Sequence, residues 1–176
     1  MDNMKTKAIY AGSFNPIHIG HIDIIKRASN LFDLTVLIAD NPNKENSTTY
    51  ESLDMIRTIL SELKIKADVD YTCDFLADYC KKNEINVIVK GLRNGNDLDS
   101  EMNQEWYTKH FNSDIETIYL STDEKYRNIS SSAIKSLVGY DEKSFRERFE
   151  KICYLPLKKI TYKKYLEYIR NCKYGL

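Results

Sequence analysis

At 176 residues the chain has the size of one domain, and its 42% apolar content is enough to close a single core without metal or disulfide staples. Twenty-six Lys and Arg balance 26 Asp and Glu, which excludes a global basic field drawing the chain to nucleic acid or a membrane surface, so any anion site is local. Four cysteines without C-x-x-C pairing, no apolar run near the roughly 20 residues that span a bilayer, and no leader-like start lead to the expectation of a cytoplasmic protein.

In chain order, the first apolar β-type run is Lys7–Ala11, followed by Gly12-Ser13-Phe14-Asn15-Pro16 and a helix predicted to begin near Ile19 or Gly20. Ile22, Ile25 and Leu31 recur along that helix at helical spacing. Leu34–Ala39 reads as a second strand with Asp40–Lys44 beyond it, and Met55, Ile56, Ile59, Leu60 and Leu63 mark a second amphipathic helix. Val69–Thr72, a helix over Asp74–Lys82, Val87–Lys90, a helix over Asp97–Phe111 and Ile115–Leu120 continue the alternation. Such alternation predicts an α/β fold: a Rossmann-like, doubly wound, parallel five-stranded sheet with helices on both faces.

Serines at Ser130-Ser131-Ser132 precede a short amphipathic stretch containing Ala133, Ile134 and Leu137. From Tyr154 to Leu176 a C-terminal helical extension is expected, with Tyr162, Tyr165, Leu166, Ile169 and Cys172 on one side and Lys158, Lys159, Lys163, Lys164, Arg170 and Lys173 around it. That basic distribution reads as a solvated face on a packed helix and is given no chemistry. One domain over 1–176 is expected, its core about 6–150 and its tail 151–176.

Four segments carry residues suited to a phosphate. The turn from the first strand into the first helix aims unpaired N–H groups and a helix dipole outward, and Gly12 lets the backbone come close to a ligand. His18 and His21, three apart around Gly20, can donate imidazole N–H bonds there; taken alone, such a pair is more often two surface histidines. A zinc site is excluded by the lack of a third ligand, His110 being the sole other histidine. Lys44 lies beyond a strand's carboxyl end, where open parallel sheets collect ligands, or is a solvated loop lysine. In "VIVKGLRNGNDLDSE", Gly91 and Gly95 allow tight turning, Lys90 and Arg93 place two cations at a strand end, and Asp97 is positioned to cap the next helix; the plain alternative pairs Arg93 with Asp97, Asp99 or Glu101. Three serines at a helix mouth, with Lys135 nearby, supply hydroxyl and amide donors for a pyrophosphate, though one serine there is an ordinary cap.

Over "GSFNPIHIGHIDII" the H-I-G-H run resembles the nucleotidylyl transferases, and together with "KGLRNGNDLDSE", "NISSSAIKSL" and "TCDFLADYC" the chain from about Thr6 to Phe149 resembles the bacterial phosphopantetheine adenylyltransferases. Class I aminoacyl-tRNA synthetases share H-I-G-H but are longer and carry a lysine-rich K-M-S-K-S motif absent here. Departures are Asn15 for the family's aspartate, His18 for threonine, Lys90 for arginine and Ser100 for an aromatic. His18 makes the first motif resemble the nicotinate and nicotinamide mononucleotide adenylyltransferases of NAD synthesis, and that acceptor, or a catalytically silent nucleotide-binding module, stands as the alternative; glycerol-phosphate cytidylyltransfer is more distant.

The resemblance implies AMP transfer from ATP to 4′-phosphopantetheine, giving dephospho-coenzyme A and pyrophosphate in coenzyme A biosynthesis. It implies catalytic roles for His21, Lys44, Arg93 and His18, and substrate or ATP contacts at Gly12, Ser13, Phe14, Leu76, Lys90, Gly91, Glu101, Ser130, Ser131 and Ser132. It further implies Mg2+ arriving with ATP without a protein cage, no nucleic-acid or membrane partner, and a homo-oligomer, commonly a hexamer.

Overall fold

A computed structural model describes residues 5–39, 49–138, 143–144, 147–148 and 162–174. Five strands, β1 (Lys7–Gly12), β2 (Asp33–Ala39), β3 (Asp68–Thr72), β4 (Val87–Leu92) and β5 (Glu116–Ser121), form one parallel sheet in the order β3-β2-β1-β4-β5. The helices are α1 (Ile19–Leu31), α2 (Thr49–Glu62), α3 (Leu76–Asn83), α4 (Gly95–Phe111), α5 (Ser131–Leu137) and α6 (Tyr162–Tyr174), with a 3-10 turn at Glu124–Tyr126. The expected doubly wound architecture is therefore the observed one, and the strand boundaries differ from the apolar runs by one or two residues.

Alternation along β1 explains how the sheet is covered on both faces. Ala8 and Tyr10 join Leu34, Val36, Ile38 and Val89 in a large cluster under α1, α2, α5 and α6, whereas Ile9 and Ala11 join Leu37, Ile88 and Ile115 under α3. Successive residues of a strand point to opposite faces, so a strand buried on both sides needs a continuous apolar run. β1 meets that need, with Ala8 and Ile9 fully buried. Each fully buried Ile or Leu contributes about 1.5–3 kcal/mol relative to exposure.

The order of the strands also fixes where a ligand can sit. β1 to β2 to β3 winds one way, and the chain then crosses back to lay β4 on the other side of β1. Loops leaving the carboxyl ends of β1 and β4 diverge at this switch, opening a crevice. Both the His18–His21 segment and the Lys90–Arg93 segment lie there.

No helix among the described residues is long and apolar enough to cross a membrane. Over Tyr162–Tyr174 the expected C-terminal extension is helical and is packed rather than splayed, with Tyr165, Leu166, Tyr168, Ile169 and Cys172 buried in the larger cluster, while residues 151–161 of the expected tail lie outside the described residues. Lys163, Lys164 and Arg170 face solvent.

Candidate active site

The turn from β1 into α1 forms the floor of the crevice. Phe14 adopts φ 44°, a left-handed conformation that costs a side-chain-bearing residue about 1–2 kcal/mol, and the Asn15–Pro16 peptide is cis. Its ring is buried and fixed edge-on between Tyr10, at 5.4 Å, and His21, at 5.1 Å. Gly12 has to be small here, since a Cβ on it would lie 3.3 Å from the Phe14 ring.

His18 is the residue capping α1, and its imidazole stacks on that of His21 with centroids 3.6 Å apart and planes 20° from parallel. Gly20 makes room for the stack, as a Cβ there would lie 3.1 Å from His18 Nδ1. The His18 backbone N–H donates to His21 Nδ1 at 3.3 Å. A neutral imidazole accepts at one nitrogen and donates at the other, so this bond assigns the His21 proton to Nε2.

Both rings are held neutral. Burial, followed by the nearby Arg93 charge, pushes His18 down to about 3. For His21, burial is again the leading cause, with His18 and Arg93 adding to it, and its pKa lies well below the ordinary histidine value. Two stacked rings cannot both carry a proton cheaply, and a cation beside them adds to that cost.

Across the crevice, β4 and α4 bring charge. Arg93 Nε and Nη2 grip Asp97 Oδ2 and Oδ1 at 2.8 and 3.0 Å, and the Arg93 backbone N–H donates to the same carboxylate at 3.0 Å. These bonds hold the Asp97 carboxyl below the usual range. The helix cap is Asn94, whose side chain accepts from Asp97 N–H at 3.0 Å; the expectation that Asp97 itself would cap α4 is thus corrected, because the carboxylate is drawn to the guanidinium. Lys90 Nζ sits 2.8 Å from Glu101 Oε2 and 3.3 Å from Gln104 Oε1.

Gly91 is not a turning residue either. It lies within β4, where a Cβ would come to 3.0 Å from Ile24 of α1, so its role is close helix-to-strand packing, while Gly95 opens α4 with nothing near its missing Cβ. Leu76 starts α3 and is partly buried against the smaller cluster.

The late serines reach the same floor. Ser130 caps α5 by accepting from Ala133 N–H at 3.1 Å, and Ser131 Oγ donates to the Pro16 carbonyl at 2.9 Å. Ser132 follows in the first turn of α5. The structure therefore gathers His18, His21, Gly12, Phe14 and Ser131 at one mouth, with Arg93 close enough to bias both imidazoles. Lys44 lies outside the described residues.

Sequence reading missed the contribution of α6. Tyr168 Oη donates to the Phe14 carbonyl at 2.9 Å and accepts from Ile17 N–H at 3.4 Å, Ser52 Oγ lies 3.1 Å from it, and Tyr165 Oη donates to the Ile17 carbonyl. A signal was present: buried tyrosines three apart on one helix face must find hydrogen-bond partners for their hydroxyls. The expected apolar side included Tyr165 but passed over Tyr168.

The cytidylyltransferase-like family model matches residues 9–137. The phosphopantetheine adenylyltransferase of Nautilia profundicola is 36% identical over 140 residues, 78% of this chain and 90% of that protein. Its counterpart from Caldanaerobacter subterraneus is 38% identical over 135 residues, covering 76% and 84%. Among solved structures, the Plasmodium falciparum nicotinic acid mononucleotide adenylyltransferase complexed with NaAD matches at a TM-score of 0.62 over 97% of both chains with 16% identity, a likeness of fold alone.

Proposed function

The chain belongs to the phosphopantetheine adenylyltransferase family within the cytidylyltransferase-like proteins, and from that premise we propose that it moves AMP from ATP to 4′-phosphopantetheine. A phosphate oxygen of the acceptor attacks the α-phosphorus, the bond from that phosphorus to the bridging oxygen breaks, and pyrophosphate departs carrying the electron pair. The products are dephospho-coenzyme A and pyrophosphate. An ionised phosphate needs no strong base, so orientation and charge stabilisation carry the rate; orientation alone supplies up to about 7–11 kcal/mol.

One observation supports the reading above the others: His21 is neutral, with its proton assigned to Nε2, at the mouth of α1. A fixed neutral donor stabilises charge as it builds on the α-phosphoryl oxygens, without having to give up a proton. His18 neighbours the triphosphate; Gly12 and Phe14 shape the floor, and Gly91 lets α1 approach β4. Arg93, held in register by Asp97, together with the Ser130–Ser132 mouth, binds the leaving pyrophosphate. Ser13 and Lys90 bind the acceptor phosphate, Glu101 contacts ATP near the ribose while orienting Lys90, Leu76 borders the pantetheine arm, and Lys44 bridges acceptor and α-phosphate.

Mg2+ is part of the same proposal: arriving with ATP, it would supply charge neutralisation on the phosphates without a dedicated protein cage. Self-association is also proposed, supported by the exposed apolar side chains Met102, Trp106, Tyr107 and Phe111 along α4.

His18, which gives the first motif its likeness to the pyridine mononucleotide enzymes, keeps pyridine mononucleotides as the second acceptor class. Pyrophosphate release under ATP and Mg2+ is to be measured with phosphopantetheine, nicotinamide mononucleotide and nicotinate mononucleotide in parallel. Fast release with the first alone is expected. Release with a pyridine mononucleotide alone would reassign the acceptor, and ATP binding without release for any of the three would make the protein a binding module.

A further inference from the structure

Three carbonyls of the turn into α1 accept hydrogen bonds from hydroxyls far along the chain: Phe14 from Tyr168, Pro16 from Ser131 and Ile17 from Tyr165. The two tyrosines belong to α6, which begins 25 residues after the family match ends at residue 137. Both are buried, at 4% and 3% exposure. Burial raises the Tyr168 pKa, so its hydroxyl stays a donor at any physiological pH.

The Ile17–His18 peptide links these bonds to the reaction centre. Its carbonyl accepts from Tyr165, and its N–H, on the opposite side of the same plane, donates to His21 Nδ1. Bonding at the carbonyl polarises the peptide and strengthens its N–H as a donor. Tyr168 does the parallel work just before it: it holds the carbonyl of Phe14, a residue in the strained left-handed region, and takes the Ile17 N–H, so the Phe14–Asn15 and Pro16–Ile17 peptides cannot rotate freely. Since the Tyr168 oxygen spends its one proton on Phe14, Ser52 is the donor in their 3.1 Å contact. Cys172 lies beside the same hydroxyl.

We propose that Tyr165 and Tyr168 are positioning residues of the transferase site, fixing His21 as its Nε2–H tautomer through the peptides they hold. Neither reaches the substrate; both act through backbone. The inference rests on the adenylyl-transfer reading only for its kinetic arm, because the tautomer is observable without turnover.

The test uses the full-length protein with 15N-labelled histidine. Long-range proton–nitrogen correlation should show one His21 nitrogen of pyridine type and one protonated in wild type, with the assignment made by loss of the signal in His21→Gln. In Tyr165→Phe the pattern should move toward a mixture of tautomers, and kcat with ATP and phosphopantetheine should fall about ten- to a hundredfold, the scale of a sub-ångström to ångström misplacement. Ile169→Ala, a core truncation on the same helix, should lower Tm by several degrees yet leave both the tautomer and kcat as in wild type.

A single unaltered tautomer with wild-type kcat in Tyr165→Phe, or equal losses in Ile169→Ala, would overturn the proposal and leave α6 as scaffold only. Should Tyr165→Phe not fold, Tyr168→Phe carries the same two readouts, and an unaltered tautomer with wild-type kcat there overturns the proposal equally. If wild type shows the single tautomer but no release of pyrophosphate with phosphopantetheine, the functional reading fails and the positioning inference stands on the nitrogen spectra.

Discussion

At the end of β1 the chain enters α1 through a buried turn that carries no charge, whereas at the end of the neighbouring β4 it enters α4 through paired charges, the Arg93–Asp97 pair partly open to water and the Lys90–Glu101 pair more enclosed. In the first mouth Phe14 and His18 are almost inaccessible, both imidazoles are neutral, and loop carbonyls are pinned by Ser131, Tyr165 and Tyr168. In the second, Arg93 and Lys90 carry partners on the first two turns of α4, with the Arg93 side chain 37% exposed. Fixed neutral donors gain most in a dry site where negative charge grows late in the reaction. A partly exposed ion pair suits recognition, because Asp97 can yield Arg93 partly to an incoming phosphate at little cost.

His21→Ala breaks the first mouth and should produce the largest effect. Loss of one preorganised donor lowers kcat about 10²–10³-fold, while the melting temperature, followed by circular dichroism, drops only a few degrees. Turnover within threefold of wild type would remove His21 from the chemistry.

Asp97→Asn attacks the second mouth. It leaves an oxygen to accept the Arg93 backbone N–H but removes the fork that orients the guanidinium. Because Arg93 is partly exposed, the stability change should stay under about 1 kcal/mol. kcat/KM for ATP should nevertheless fall about tenfold, the worth of one charge-assisted hydrogen bond. An unchanged kcat/KM would mean that Arg93 orients itself without Asp97.

The contrast also separates what was legible in the sequence from what was not. Strands, crossover helices and the two mouths could be read from apolar periodicity and from glycines at strand ends, since both reflect local physics. Asn94 capping α4 in place of Asp97 was hidden because either residue type caps well, and the choice is made by Arg93 reaching across one helical turn. Gly91 looked like a turn and is instead a gap for Ile24, a contact between elements 67 positions apart. Tyr168 bonds across 154 and 151 positions to Phe14 and Ile17, pairings that no local pattern encodes.

Lys90→Arg sharpens the recognition side with a smaller effect. A guanidinium in place of the ammonium can hold a phosphate with two parallel bonds, but it must also share Glu101 and Gln104. KM for the acceptor should shift a few-fold, on the order of 1 kcal/mol or less, with KM for ATP constant. A change confined to ATP would place Lys90 on the nucleotide instead.

The smallest expected effect is on rate against pH, and it comes with a large one on stability. Since His18 sits near 3 when folded and His21 also lies well below its ordinary value, both imidazoles are neutral at pH 7, and kcat should show no inflection from His18 between about pH 5 and 8. Unfolded, each histidine binds a proton below about 6.5. Between that pH and the folded values the unfolded state therefore holds more protons than the native one, so stability rises with pH up to about 6.5 and declines as pH falls below it. The slope reaches at most about 1.4 kcal/mol per pH unit for each histidine. Replacing His18 with threonine removes one of the two contributions, and urea titrations at about pH 6.5, 5.5 and 4.5 should show a visibly shallower decline for the variant. Equal slopes for the two proteins would mean that His18 takes up a proton in the folded chain, and the neutrality assigned to the first mouth would be wrong.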